Sequence, residues 1–193
     1  MGKYALINRM AVDLEALLSL SHECRPELCR TAHCCCASYD VEISRQERCR
    51  ILEILPTAAR FSTALEAGKN PDEIFRDIGH SEYLIETDER DYCLLAYFGP
   101  VGQTFCALHA AALALNLPPS QVKPNCCSLW PLALEDGPIP ILTIHADAFS
   151  FPCNQKRSKE ARTLDPGVAA ILESLGNHQF VDKIHKACQK MLA

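Results

Sequence analysis

Twelve cysteines in 193 residues are the side chains of this sequence best equipped for chemistry. Five fall within residues 24–36, as Cys24, Cys29, Cys34, Cys35 and Cys36, and a second set follows at Cys93, Cys106, Cys126, Cys127 and Cys153. Thiolates are soft donors that hold zinc and iron–sulfur clusters against water and oxygen ligands. A closed zinc site takes four ligands and a cubane cluster takes four cysteines, so this count serves one or two sites. The local spacing matches no short metal signature. There are no paired Cys-x2-Cys knuckles and there is no Cys-x3-Cys-x2-Cys run. Any site must therefore assemble from distant segments.

The remaining candidates are weighed against plainer roles. His33 precedes the triple cysteine and His109 follows Cys106; either is a ligand or a hydrogen-bond partner that orients one. Cys188 lies on the apolar stripe of the last helical segment and reads as a core residue. Cys49 reads as structural, while Cys24, Cys126 and Cys153 are left open as ligands. Asp88 and Glu89 sit in a charged turn and read as solvated. The basic run at 154–163 reads as a solvated connector rather than an anion site. No Gly-x-Ser-x-Gly, phosphate loop or dinucleotide fingerprint is present.

Three segments together carry a resemblance. The first is the cysteine group ending in Cys35-Cys36, followed by an extended piece and Ser44-Arg-Gln-Glu47. The second is Cys93-Leu-Leu-Ala with Cys106-Ala-Leu-His109. The third is Lys123-Pro124-Asn-Cys-Cys127, with Pro131 and Leu132 beyond it. Over residues 24–132 the chain resembles the cysteine-rich zinc- or iron-chelating domain family (the YkgJ-like, CxxCxxCC proteins). Its first group has longer gaps than the family motif. The resemblance implies a metal ion or cluster held by Cys29, Cys34, Cys35, Cys36, Cys93, Cys106 and Cys127, and it singles out Cys127 over Cys126. The cofactor is Zn2+ or an iron–sulfur cluster. Larger relatives similar to flagellin lysine methylases keep open the alternative of a redox or protein-modifying enzyme.

The rest of the chain must position these thiols. Apolar residues make up 48% and charged residues 22%, as in an ordinary globular protein. A net charge of −5 speaks against nonspecific nucleic-acid binding, which requires a cationic surface. No signal peptide and no apolar run of spanning length is evident, so a cytoplasmic location off the membrane is expected, with a protein partner left open.

Helices are expected over 4–20, from a Ser44–Glu47 capping box onward with Pro56 inside, over about 70–79, over 107–116, and at 166–175 and 178–192. Strands are expected around 83–87, 92–98, 132–134 and 139–145. The expected fold class is α+β: a helix-dominated single domain, 1–193, with a small β element, organised around a cysteine-lined metal site. Its core would be 24–132, with 1–23 and 164–193 as packing helices.

Overall fold

Asn8 and Arg9 both adopt positive φ, 51° and 67°, and this pair decides how the chain begins. Two successive left-handed residues make the tight turn that matches the twist of a two-stranded ribbon. They join β1 (Tyr4–Ile7) to β2 (Met10–Asp13), with Ile7 opposite Met10. The expected helix over 4–20 is therefore replaced by a hairpin, a short α1 (Leu14–Ser19) capped by Asp13, and β3 (Leu20–His22). The apolar spacing that suggested a helix is divided between one face of the hairpin, where Ile7 stands opposite Met10, and α1, which buries Leu14, Leu17 and Leu18.

The computed structural model describes residues 3–24, 29, 34–62, 65, 70, 73–158 and 160–192. The described elements continue with β4 (Val41–Ser44), α2 (Arg45–Ala58), β5 (Phe75–Gly79), β6 (Glu82–Ile85), β7 (Ala96–Phe98) and β8 (Thr104–Cys106). Then come α3 (Ala107–Ala114), α4 (Pro119–Val122), α5 (Asn125–Leu129), β9 (Leu132–Glu135), β10 (Ile141–Ile144), β11 (Asn154–Lys156), α6 (Pro166–Leu175) and α7 (His178–Leu192). None of the helices among the described residues is long and apolar enough to cross a membrane.

The chain divides into two compact units. The first combines Met1–Cys24 with Leu129–Ala193; the second is Arg25–Ser128. The first unit has a sheet ordered β1-β2-β10-β9, in which β2 and β10 run parallel with Ala11 opposite Ile141. A separate ribbon pairs β3 with β11. Leu17, Leu20, Val12, Leu172 and Ile184 fill its core, together with Cys188, which is buried as expected. Each such fully buried aliphatic side chain contributes about 1.5–3 kcal/mol of transfer free energy.

α6 docks onto β3 through Asp165. Its Oδ1 accepts from Gly167 N at 2.9 Å and His22 N at 3.2 Å, and its Oδ2 accepts from Ser21 Oγ at 2.7 Å. Burial alone would raise the Asp165 pKa, but these donors outweigh it and hold the carboxyl below its usual range. A Cβ on Gly167 would lie 1.9 Å from the His22 carbonyl oxygen, so only glycine permits this approach.

The second unit carries a sheet ordered β4-β6-β5 and the ribbon β7-β8. The capping box is present: Ser44 Oγ accepts from Glu47 N at 3.3 Å, and Glu47 Oε2 accepts from Ser44 N at 2.9 Å. α2 then presents Ile51, Leu55 and Ala58 to the core, and Pro56 is accommodated near its C-terminal end. Residues 75–79, expected as the end of a helix, form a strand instead. The left-handed pair His80 and Ser81 (φ 54° and 66°) turns β5 back onto β6. The proline-rich stretch that follows α3 contains the two short helices α4 and α5; Pro119 occupies a first-turn position where its missing N–H costs nothing.

The expectation of a helix-dominated single domain with a small β element, organised around a metal site, is thus corrected. The structure is mixed α+β, 40% helix and 26% strand, with four sheets among the described residues and two units. Each unit has its own hydrophobic cluster, and no metal site is shown among the described residues. Residues 3–23 carry three strands and one short helix, whereas α6 and α7 match the two expected C-terminal helices.

Candidate functional site

Backbone hydrogen bonds bring the cysteine-bearing segments of the second unit together. Cys34 leads into a 3-10 turn, Cys35–Ala37, whose Cys36 carbonyl accepts from Cys93 N at 2.9 Å. Ala96 N returns to the Cys93 carbonyl at 2.8 Å, and Ala96 stands opposite Cys106 in the β7–β8 ribbon. Thr104 N donates to the Cys29 carbonyl at 2.8 Å, which ties Cys29 to β8. Cys106 ends β8 and is the N-cap residue of α3. Cys127 lies in α5. Cys93, Cys106 and Cys127 are half-buried and pack on the margin of the core built by Ile51, Leu95, Leu108 and Val122.

The thiols interact electrostatically. Cys35 accepts the Cys36 S–H; this lowers its pKa, burial opposes, the Lys123 ammonium assists, and the net value is about 6. Cys36, as the donor, is pushed well up, with burial and the charges of Cys35, Cys106 and Cys93 adding to the effect. Burial, then Cys106, pushes Cys93 up to about 12. Cys127 donates to Cys126, so its own pKa rises, with burial adding and Lys123 opposing. Cys34 is raised chiefly by burial, offset by the Thr104 hydroxyl.

Lys123 is the cation of this group. Its Nζ donates to the Cys127 carbonyl at 3.2 Å. Burial would lower its pKa, but negative charge at Cys106, Cys127, Cys35 and Cys36 outweighs that and raises it. The pKa of His109, in the first turn of α3, is lowered by burial and then by the charge of Lys123. All twelve cysteines are free thiols.

Cys35, Cys36, Cys93, Cys106 and Cys127 thus fall within one electrostatic neighbourhood, with Cys34 beside it. Cys29 is placed there by its backbone. Cys126 is exposed, and its Sγ lies 3.8 Å from the Glu42 carbonyl oxygen. Cys24 and Cys153 belong to the other unit, where the Cys153 carbonyl accepts from Glu23 N at 2.9 Å. Trp130 also lies in the first unit, its ring 4.7 Å from that of Phe151. His33 lies outside the described residues.

Among the described residues, no three or more His, Cys, Asp or Glu side chains stand in an arrangement ready to hold a metal ion. The donor chemistry nonetheless suits a soft metal. The thiols have an internal countercharge in Lys123, and the Thr104 hydroxyl lies beside the Cys34 thiol, whose pKa it lowers. A hydroxyl so placed can donate to a thiolate.

Sequence reasoning missed the residues that hold the third segment. Glu47 Oε1 accepts from Asn125 N at 2.8 Å, and Arg50 donates from Nη2 to the Lys123 carbonyl at 3.1 Å. Local spacing identified Glu47 as a cap, but nothing local signals its bond to a residue in the third segment. Comparison with protein-family models, curated proteins and solved structures finds no match to this chain.

Proposed function

We propose that the protein binds a thiophilic metal, as zinc or an iron–sulfur cluster, through cysteines of the second unit. Cys35, Cys36, Cys93, Cys106 and Cys127 are the principal ligands, with Cys29 and Cys34 as further candidates. The observation that carries this reading is the convergence of three cysteine segments, by backbone hydrogen bonds and mutual charge effects, around one lysine ammonium. Metal binding would draw the thiols inward onto a core that is already closed, and their deprotonation would accompany it. The likeness to the YkgJ-like cysteine-rich family points the same way. A reducing compartment such as the cytoplasm would keep these thiols available.

The test is metal analysis with a visible spectrum on anaerobically purified protein. A stoichiometric colourless zinc protein or a brown iron–sulfur protein supports the reading; thiols that take up neither metal overturn it. The redox or protein-modifying alternative draws on the half-buried Cys35 thiolate beside the Cys36 proton donor. It predicts turnover that is abolished in Cys35→Ser and retained in Cys93→Ser.

A further inference from the structure

We infer that Glu47 and Arg50 are positioning residues for the thiol site: they clamp the backbone on either side of Pro124 and thereby place Cys127. The inference rests on the reading of Cys127 as a ligand. Glu47 is only 9% exposed, and its two carboxylate oxygens do separate work. Oε2 closes the capping box of α2, accepting from Ser44 N at 2.9 Å and Ser44 Oγ at 2.7 Å. Oε1 reaches across to Asn125 N at 2.8 Å, the first residue of α5. One turn further along α2, Arg50 Nη2 holds the Lys123 carbonyl at 3.1 Å and stands 4.0 Å from Glu47 Oε1.

The chain 123–125 is therefore gripped at both ends by one helix, and Cys127 follows within the same turn of α5. Lys123 is fixed by the same grip, and its Nζ closes back on the Cys127 carbonyl at 3.2 Å. A capping box needs only one carboxylate oxygen and its own helix. The second oxygen is spent on another segment, and hydrogen bonds to ionised groups are the stronger kind. Groups that orient ligands in this way affect metal affinity without touching the metal.

The test compares Glu47→Gln, Ser44→Ala and Asn125→Pro with the parent protein. Ser44→Ala removes a capping hydroxyl and leaves the Glu47–Asn125 bond. Asn125→Pro removes the donor N–H, along with the Asn125 carboxamide, at a first helical position that tolerates proline, and leaves the capping box. The first readout needs no metal. Each metal-free protein is treated with iodoacetamide, and the alkylation rate of Cys127 is followed by mass spectrometry, with exposed Cys49 as the internal reference. Glu47→Gln and Asn125→Pro are expected to speed Cys127 alkylation about tenfold, the loss of one hydrogen bond to a charged group, while Ser44→Ala does not.

The second readout is zinc affinity, expected to fall roughly 10- to 100-fold in the same two variants. If Glu47→Gln fails to fold, Asn125→Pro decides. Unchanged Cys127 alkylation in folded Asn125→Pro overturns the inference, as does an equal effect in Ser44→Ala. If the parent protein binds no metal but alkylation changes as expected, the clamp stands and the metal reading falls.

Discussion

The amide of Cys93 donates to the carbonyl of Cys36 across 2.9 Å, so two cysteine segments far apart in sequence are joined through their backbones. This bond does not depend on side-chain chemistry. It ties the two segments together whether their thiols are protonated or ionised, and the proposed metal binding would not have to create that link.

Cys126 and Cys127 are adjacent and differ sharply in setting. Cys126 is exposed beside the Glu42 carbonyl, while Cys127 packs on the core margin with Lys123 bonded to its carbonyl. Cys127→Ser is expected to lower zinc affinity by more than the 10- to 100-fold typical of outer-sphere groups, and Cys126→Ser to leave it within about threefold. Competition with a chromogenic chelator measures both; equal losses would remove the distinction.

Arg9 holds φ at 67° in the β1–β2 turn. A non-glycine residue pays about 1–2 kcal/mol there, partly offset by the greater unfolded freedom of glycine. Arg9→Gly is therefore expected to stabilise the protein by about 0.5 kcal/mol in urea unfolding. In a helix over 4–20 the same change would destabilise by about 0.8–1 kcal/mol, so the sign alone distinguishes hairpin from helix.

Gly167→Ala places a methyl against the His22 carbonyl, a fixed backbone atom. The helix must back away from β3, at a cost of about 1–3 kcal/mol by the scale of overpacked sites. Thermal unfolding should show a lowered Tm; an unchanged Tm would mean that α6 can move away freely.

The lowered pKa of Asp165 gives stability a pH dependence. Its carboxylate contributes fully above the unfolded value near 3.9, and the contribution is lost as pH falls through the lower folded value. Asp165→Asn keeps a capping oxygen but removes the charge, and should cost about 1 kcal/mol at pH 7, the difference between hydrogen bonds to a charged and to a neutral acceptor. The gap between variant and parent should close below about pH 4. A gap that stays constant down to pH 2 would assign the loss to shape rather than charge.

Where structure depended on local periodicity, the sequence was readable. Ser44 and Glu47 announced α2, the apolar run from Ala107 announced α3, and the last two helices were expected within the bounds of α6 and α7, with Cys188 on the apolar stripe of the last. The hairpin at Asn8-Arg9 escaped notice because the turn lacks the glycine that usually marks it, and positive φ in arginine has no signature. The two-unit division escaped because β2 finds its partner in β10 only after the whole second unit has intervened. For the site, the density of cysteines marked the segments, while the choice among them came from the resemblance, because their spacing matches no short metal signature. The bond from Glu47 to Asn125 could not be read, since a capping glutamate looks the same whether or not its second oxygen is occupied.

The parallel pairing of Ala11 with Ile141 has a consequence for the order of events during synthesis. Strand β2 leaves the ribosome early but has no partner until β10 follows, and α7 comes later still. Residues 25–128 form a continuous stretch between these halves and are complete before the first unit can close. The cysteine-bearing unit therefore has the opportunity to fold, and its thiols to meet whatever metal or oxidant the cell offers, while the remainder of the chain is still being made.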